Sequence, residues 1–87
     1  MLRRTYYLPK ILPFTDEKRE EIIGLLRGNN SSEIKANSKF ALEIIYSDGK
    51  LRIVHRTPEF PINPEYEIQV EGHAEEILGE VEKIIGL

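Results

Sequence analysis

Apolar and polar positions alternate most clearly in the second half of the chain. Phe40, Leu42, Ile44 and Tyr46 recur at every second place, and so do Leu51, Ile53 and His55. A period of two marks strands with one buried face. Asp48-Gly49 separates the two runs, and Asp-Gly between alternating apolar residues is the strongest short-range hairpin signal. As a two-residue turn it sets Tyr46 opposite Leu51, Ile44 opposite Ile53 and Leu42 opposite His55. Glu43, Ile45, Arg52, Val54 and Arg56 then share the other face. Tyr66, Ile68 and Val70 continue the apolar face in a third run, 66–71, while Glu65, Glu67, Gln69 and Glu71 turn away from it.

The first half is less regular. Leu2 to Leu8 alternates as a strand, and Pro9 and Pro13 behind it point to an edge strand or a bulge, because proline has no N–H for a ladder. Phe14-Thr15-Asp16-Glu17 opens a helix, with Thr15 as cap and two acids in the first turn. Ile22, Ile23, Leu25 and Leu26 give its buried stripe, and Gly28 with Asn29-Asn30 ends it. Residues 29–38 read as a polar loop, with at most a short strand around Ile34. At the far end Ala74, Ile77, Leu78, Val81, Ile84 and Ile85 recur at three-four spacing, which predicts an amphipathic helix with Glu75, Glu76, Glu80 and Lys83 in water. The expected architecture is one α+β domain over 1–87, in the order β-α-β-β-β-α. It is a two-layer sandwich, with an antiparallel sheet of about four strands and two helices on one face.

Composition narrows the classes. With 87 residues the chain holds one core, and 40% hydrophobic against 31% charged residues is enough apolar content to fold. The absence of Cys removes disulfides and thiolate metal sites, and two histidines would need carboxylates to hold a metal. No metal or cofactor is expected. No apolar run approaches the roughly 18 residues of a membrane span, so the expectation is a cytoplasmic protein with no membrane partner. Abundant Glu, Lys and Ile lean toward a thermophilic, archaeal-like source. Charge is uneven: residues 1–57 carry eleven Lys/Arg against seven Asp/Glu, and residues 58–87 carry one against eight. An acidic final third argues against wrapping nucleic acid with the whole surface.

No Ser-His-Asp set or local carboxylate pair appears, so the expected activity is binding and not catalysis. His55 falls at the edge of the core face and reads as a structural histidine. His73, at the start of the last helix, reads as a capping or surface residue. Arg52 and Arg56, with Thr57 beside them, are candidates for an anion site, set against plain cross-strand pairing with Glu43 and Glu67. Arg3, Arg4 and Tyr7 mix cations with an aromatic and are candidates for contact with nucleic acid. Phe60 and Ile62, in the rigid loop Phe60-Pro61-Ile62-Asn63-Pro64, are candidates for docking a protein. Sheet extension across a dimer is open at an unprotected edge strand.

The order of elements and its punctuation resemble the C-terminal domain of the phosphohexomutases, the phosphoglucomutase and phosphomannomutase superfamily. The shared marks are the helix start Thr15-Asp16-Glu17-Lys18, the hairpin at Asp48-Gly49, Arg56 closing its second strand, Val70-Glu71-Gly72, and a Glu-rich last helix. The resemblance implies a sugar-phosphate contact after Arg56. There the family carries Arg-Pro-Ser-Gly-Thr-Glu-Pro, and this chain has Arg56-Thr57-Pro58-Glu59-Phe60-Pro61, without the Ser and Gly. Its prolines remove amide donors. The family's nucleophile and metal ligands lie in other domains. A looser likeness, over Leu8 to Gly28 and Phe40 to Arg56, is to the small dimerising subunit of the archaeal tRNA threonylcarbamoyladenosine complex; it implies a catalytically silent accessory role. The expected function is a non-catalytic module working through protein contacts, as an accessory subunit or a homodimer. The alternatives are a binder of phosphorylated ligands and an RNA-binding or tRNA-modification accessory domain.

Overall fold

The computed structural model describes residues 1–26, 33–59 and 62–87. Among the described residues five strands and two helices follow one another as β1 (Leu2–Tyr7), α1 (Asp16–Leu25), β2 (Glu33–Ser38), β3 (Ala41–Tyr46), β4 (Gly49–Arg56), β5 (Glu65–Gly72), a 3₁₀ turn (His73–Ile77) and α2 (Leu78–Ile85). The strands form one antiparallel sheet in the order β1-β5-β4-β3-β2. The class is α+β, as the alternation predicts, but the sheet has five strands where about four were expected. The added strand is β2, Glu33–Ser38, in the stretch read as a polar loop with at most a short strand around Ile34.

The hairpin turn lies one residue earlier than the Asp-Gly signal places it. Tyr46 pairs with Gly49, Ile44 with Leu51 and Leu42 with Ile53. Ser47 and Asp48 make the turn, and Gly49 already belongs to β4. Each expected pair is therefore displaced by two residues. Because side chains alternate with a period of two, that displacement leaves the paired residues of β3 and β4 on their expected faces.

Leu42, Ile44, Tyr46, Leu51, Ile53, Tyr66, Ile68 and Val70 are all buried on one face of the sheet. Phe14, Ile22, Leu26, Ala74, Leu78, Val81 and Ile85 from the helical layer complete that core. Phe40 departs from the expected pattern: it sits in the turn between β2 and β3 and is 51% exposed.

Thr15 caps α1, its Oγ1 accepting from the Lys18 N–H at 3.3 Å. The expected stop at Gly28-Asn29-Asn30 lies outside the described residues. Lys18 then joins the two helices. Its Nζ donates to the Pro13 carbonyl at 3.1 Å and to the Ile85 carbonyl, at the end of α2, at 3.0 Å. An ammonium at a helix C-terminus answers free carbonyls and the negative end of the dipole. Gly86 closes α2 in the left-handed conformation, φ 101°, with its N–H on the Glu82 carbonyl. The Arg4 guanidinium of β1 meets Glu82 of α2 at 3.0 Å and pins the sheet edge to the helix.

The two edge strands differ. β2 shifts register between Ile34 and Ala36, and its charged Glu33 and Lys35 bridge each other at 3.2 Å. A bulged, charged edge resists extension by another strand. β1 pairs with β5 in unbroken register from Leu2 opposite Val70 to Tyr7 opposite Glu65.

Candidate functional site

The sheet face away from the helices is lined with charge. Arg52 Nε lies 3.6 Å from Glu43, Arg56 NH1 lies 3.2 Å from Glu65 and 3.8 Å from Glu67, and Arg3 NH2 lies 2.8 Å from Glu67. Glu67 is only 6% exposed, and the two guanidiniums that flank it supply the partners a buried carboxylate needs. Gln69 Nε2 adds a donor at 3.4 Å. Arg52 and Arg56 thus have carboxylates as nearest charged neighbours.

Thr57 is not grouped with them. It follows the end of β4 and lines a cleft on the helix side of the sheet. Arg3 and Tyr7 stand on the open face, while Arg4 turns to the helix side; so Arg3, Arg4 and Tyr7 do not form one surface. Tyr7 is 72% exposed. Phe60 lies outside the described residues. Ile62 is 67% exposed and borders a shallow hollow with Pro9, Ile11, Pro58 and Pro64.

The cleft that takes in Thr57 encloses about 440 Å³. Its walls come from the segment before α1 (Ile11, Pro13, Phe14), the first turns of α1 (Thr15, Asp16, Arg19), the β2–β3 turn (Lys39, Phe40) and the end of β4 (His55, Thr57). Sequence reading passes over most of these. Arg19 is the clearest case. It is a charged residue of α1, yet it is buried. Its Nε donates to Asn37 Oδ1 at 2.7 Å, its NH1 to the Phe14 carbonyl and its NH2 to Asp16, and the guanidinium lies 5.6 Å over the Phe14 ring. The signal available in the sequence is the spacing: Asp16 stands three residues ahead on the same helix face.

Beneath the cleft three rings hold one another. Phe14 meets the edge of Tyr66 at 5.7 Å, and Tyr66 stacks on His55 with centroids 4.2 Å apart and planes 4° from parallel. The Tyr66 hydroxyl donates to the Leu12 carbonyl at 2.6 Å, which fixes the stack, and burial raises its pKa. His55 is 4% exposed, its backbone N–H is bonded to the Phe40 carbonyl at 2.8 Å, and its ring Nε2 has no hydrogen-bond partner. Tyr46 Oη and His73 Nδ1 are buried without a partner too, but neither lines this cleft. Among the described residues no group of three or more His, Asp or Glu is placed to hold a metal, and no helix is long and apolar enough to cross a membrane.

Burial keeps the His55 imidazole below its ordinary pKa of 6.5; the Lys39 carbonyl pulls it up and Lys18 pushes it down. Below about pH 6.5 the unfolded chain takes up a proton that the folded chain refuses. Stability present above that pH is therefore lost as pH falls toward the folded value. The urea midpoint at pH 5.5 is expected below that at pH 7.5, and His55→Leu is expected to flatten part of the fall. An identical fall in the variant would assign the pH dependence to other groups.

No protein-family model, curated protein or solved structure matches this chain.

Proposed function

We propose that this chain is a non-catalytic binding module that works through protein–protein contact, as a small accessory subunit. The observation that supports it is the gathering of exposed apolar side chains at one end of the sheet. Ile11 (59% exposed) borders both the cleft, which it shares with Phe40, and the hollow, which it shares with Ile62. The three form a strip framed by Pro9, Pro13, Pro58 and Pro64, backbone that loses little entropy on docking. Apolar side chains gathered beside rigid loops mark contact sites more often than scattered ones do.

The charge at this end indicates the partner's chemistry. Lys10 borders the hollow and Lys39 the cleft, and neither has a carboxylate partner among the described residues; Lys39 lies over the Phe40 ring at 5.1 Å. A segment with one or two large apolar residues beside Asp or Glu suits such a surface. This chain's own exposed acids lie on several elements, among them Asp16, Glu17 and Glu21 of α1 and Glu75, Glu76 and Glu80 of the 3₁₀ turn and α2, so a second copy of the chain and a different protein both carry the chemistry this strip would meet. The phosphorylated-ligand reading takes second place, because Arg52 and Arg56 already face Glu43, Glu65 and Glu67.

The test is selection from a random peptide library against the folded chain. Enriched sequences are expected to combine a large apolar residue with neighbouring acids, and to lose at least tenfold in affinity for an Ile11→Glu/Ile62→Glu variant. Enriched sequences that bind the double variant equally well would sink this reading.

A further inference from the structure

The cleft over the Phe14–Tyr66–His55 stack has a property that the apolar strip does not need. Its lining is largely apolar (Ile11, Pro13, Phe14 and Phe40), yet it includes a histidine that is 4% exposed and whose Nε2 has no partner. A buried ring nitrogen left without a hydrogen bond costs on the order of 1–3 kcal/mol. The ring is also held in place, stacked on Tyr66 and anchored through its backbone to Phe40. Because its position is fixed, it gains a partner only if the partner comes to it.

We propose that this cleft is a binding site for an uncharged aromatic group bearing one O–H or N–H donor, a phenol or an indole, whose donor meets His55 Nε2. The size fits, since ligand cavities typically run from about 300 to 1,000 Å³ and this one is about 440 Å³. The charge also fits. Arg19 is committed to Asp16, Asn37 and the Phe14 carbonyl, so it brings no spare positive charge to the floor, and the cleft's other cation, Lys39, lies over the Phe40 ring. In the neutral tautomer that carries its proton on Nδ1, the imidazole presents Nε2 as an acceptor. Nε2 is shielded from solvent, so one wall must move aside as the ligand enters. Phe40, 51% exposed on the β2–β3 turn, has the room to do so. The same chemistry is available from a free small molecule and from a Tyr or Trp side chain of a bound protein. The inference stands apart from the protein-contact reading, because a free ligand would satisfy it whatever docks on the strip.

The test is an NMR titration of the intact chain with phenol, indole, toluene and N-acetyl-tyrosine amide, following the His55 ring nitrogens and the Phe40 and Thr57 signals. Phenol and indole are expected to shift Nε2 and to bind at least tenfold more tightly than toluene, which has the ring without the donor. His55→Leu is expected to bring phenol and toluene to equal affinity. If that variant does not fold, the phenol-to-toluene ratio on the unaltered chain decides alone. Equal affinity for phenol and toluene on the unaltered chain overturns the proposal, and so do unmoved His55 signals with every probe. Binding of phenol with exclusion of the tyrosine amide assigns the site to free small molecules; binding of both assigns it to a side chain from a partner.

Discussion

Gly72→Ala is expected to lower the stability of the fold by about 3 kcal/mol or more, on the order of 15 °C in melting temperature for a domain of this size. Gly72 ends β5 with φ 59° and ψ −134°, backbone that residues with a Cβ rarely adopt. A Cβ there would also lie 2.2 Å from the Asp48 carbonyl oxygen, which is backbone and cannot swing away. That same oxygen accepts the His73 N–H at 2.8 Å, so moving it would break the link between hairpin turn and 3₁₀ turn. The contrasting substitution is Gly79→Ala in α2. A Cβ at Gly79 meets nothing within 4 Å, and alanine is the better helix former, so this change is expected to be neutral or to stabilise by up to about 1 kcal/mol. Thermal melts of the two variants beside the parent check both signs at once; a Gly72→Ala protein melting within 3 °C of the parent would refute the account of this corner.

Phe14→Ala is expected to cost about 3–5 kcal/mol, a large share of the roughly 5–15 kcal/mol that holds a domain together. Phe14 is 1% exposed, packs edge-on against Tyr66 and lies beneath the Arg19 guanidinium. Its removal would leave a hole between α1 and the sheet and loosen the rings that position His55. Phe40 lines the same cleft, yet it is half exposed, and Phe40→Ala is expected to change stability by less than about 0.5 kcal/mol. Urea unfolding of the two variants separates a floor from a movable wall. Similar losses for both would show that Phe40 belongs to the core after all.

The sequence is most legible where one face is buried and the other wet. In β3, β4 and β5 the alternation assigned every core residue to its side, even though the Asp-Gly signal placed the turn one residue late. That error came from reading Gly49 as a turn residue. Its role in the structure is close approach: a Cβ on Gly49 would lie 2.6 Å from the Glu71 carbonyl oxygen and 2.9 Å from the Tyr46 ring. β2 was legible only as a short strand around Ile34, because Glu33, Lys35, Asn37 and Ser38 bury almost nothing and the strand is defined by backbone pairing to β3. The cleft was hidden for a different reason. Arg19, Phe40 and His55 come from three separate stretches, and the burial of a guanidinium is decided by the partners that surround it and not by its own polarity. The resemblance to phosphohexomutase C-terminal domains rests on the quoted motif residues alone.

The place of β1 in the sheet bears on how the chain assembles. Its one partner is β5, so Leu2 waits for Val70 and Tyr7 for Glu65, while β2, β3 and β4 close onto their neighbours through short connections. Pairings so distant along the chain form late, after the loop-closure entropy has been paid for by nearer contacts. During that interval β5 has a free edge and β1 is a detached arm on a tether containing Pro9 and Pro13. At high concentration the arm of one molecule is then expected to settle on the β5 edge of another, giving a domain-swapped dimer whose every contact is one the monomer already makes.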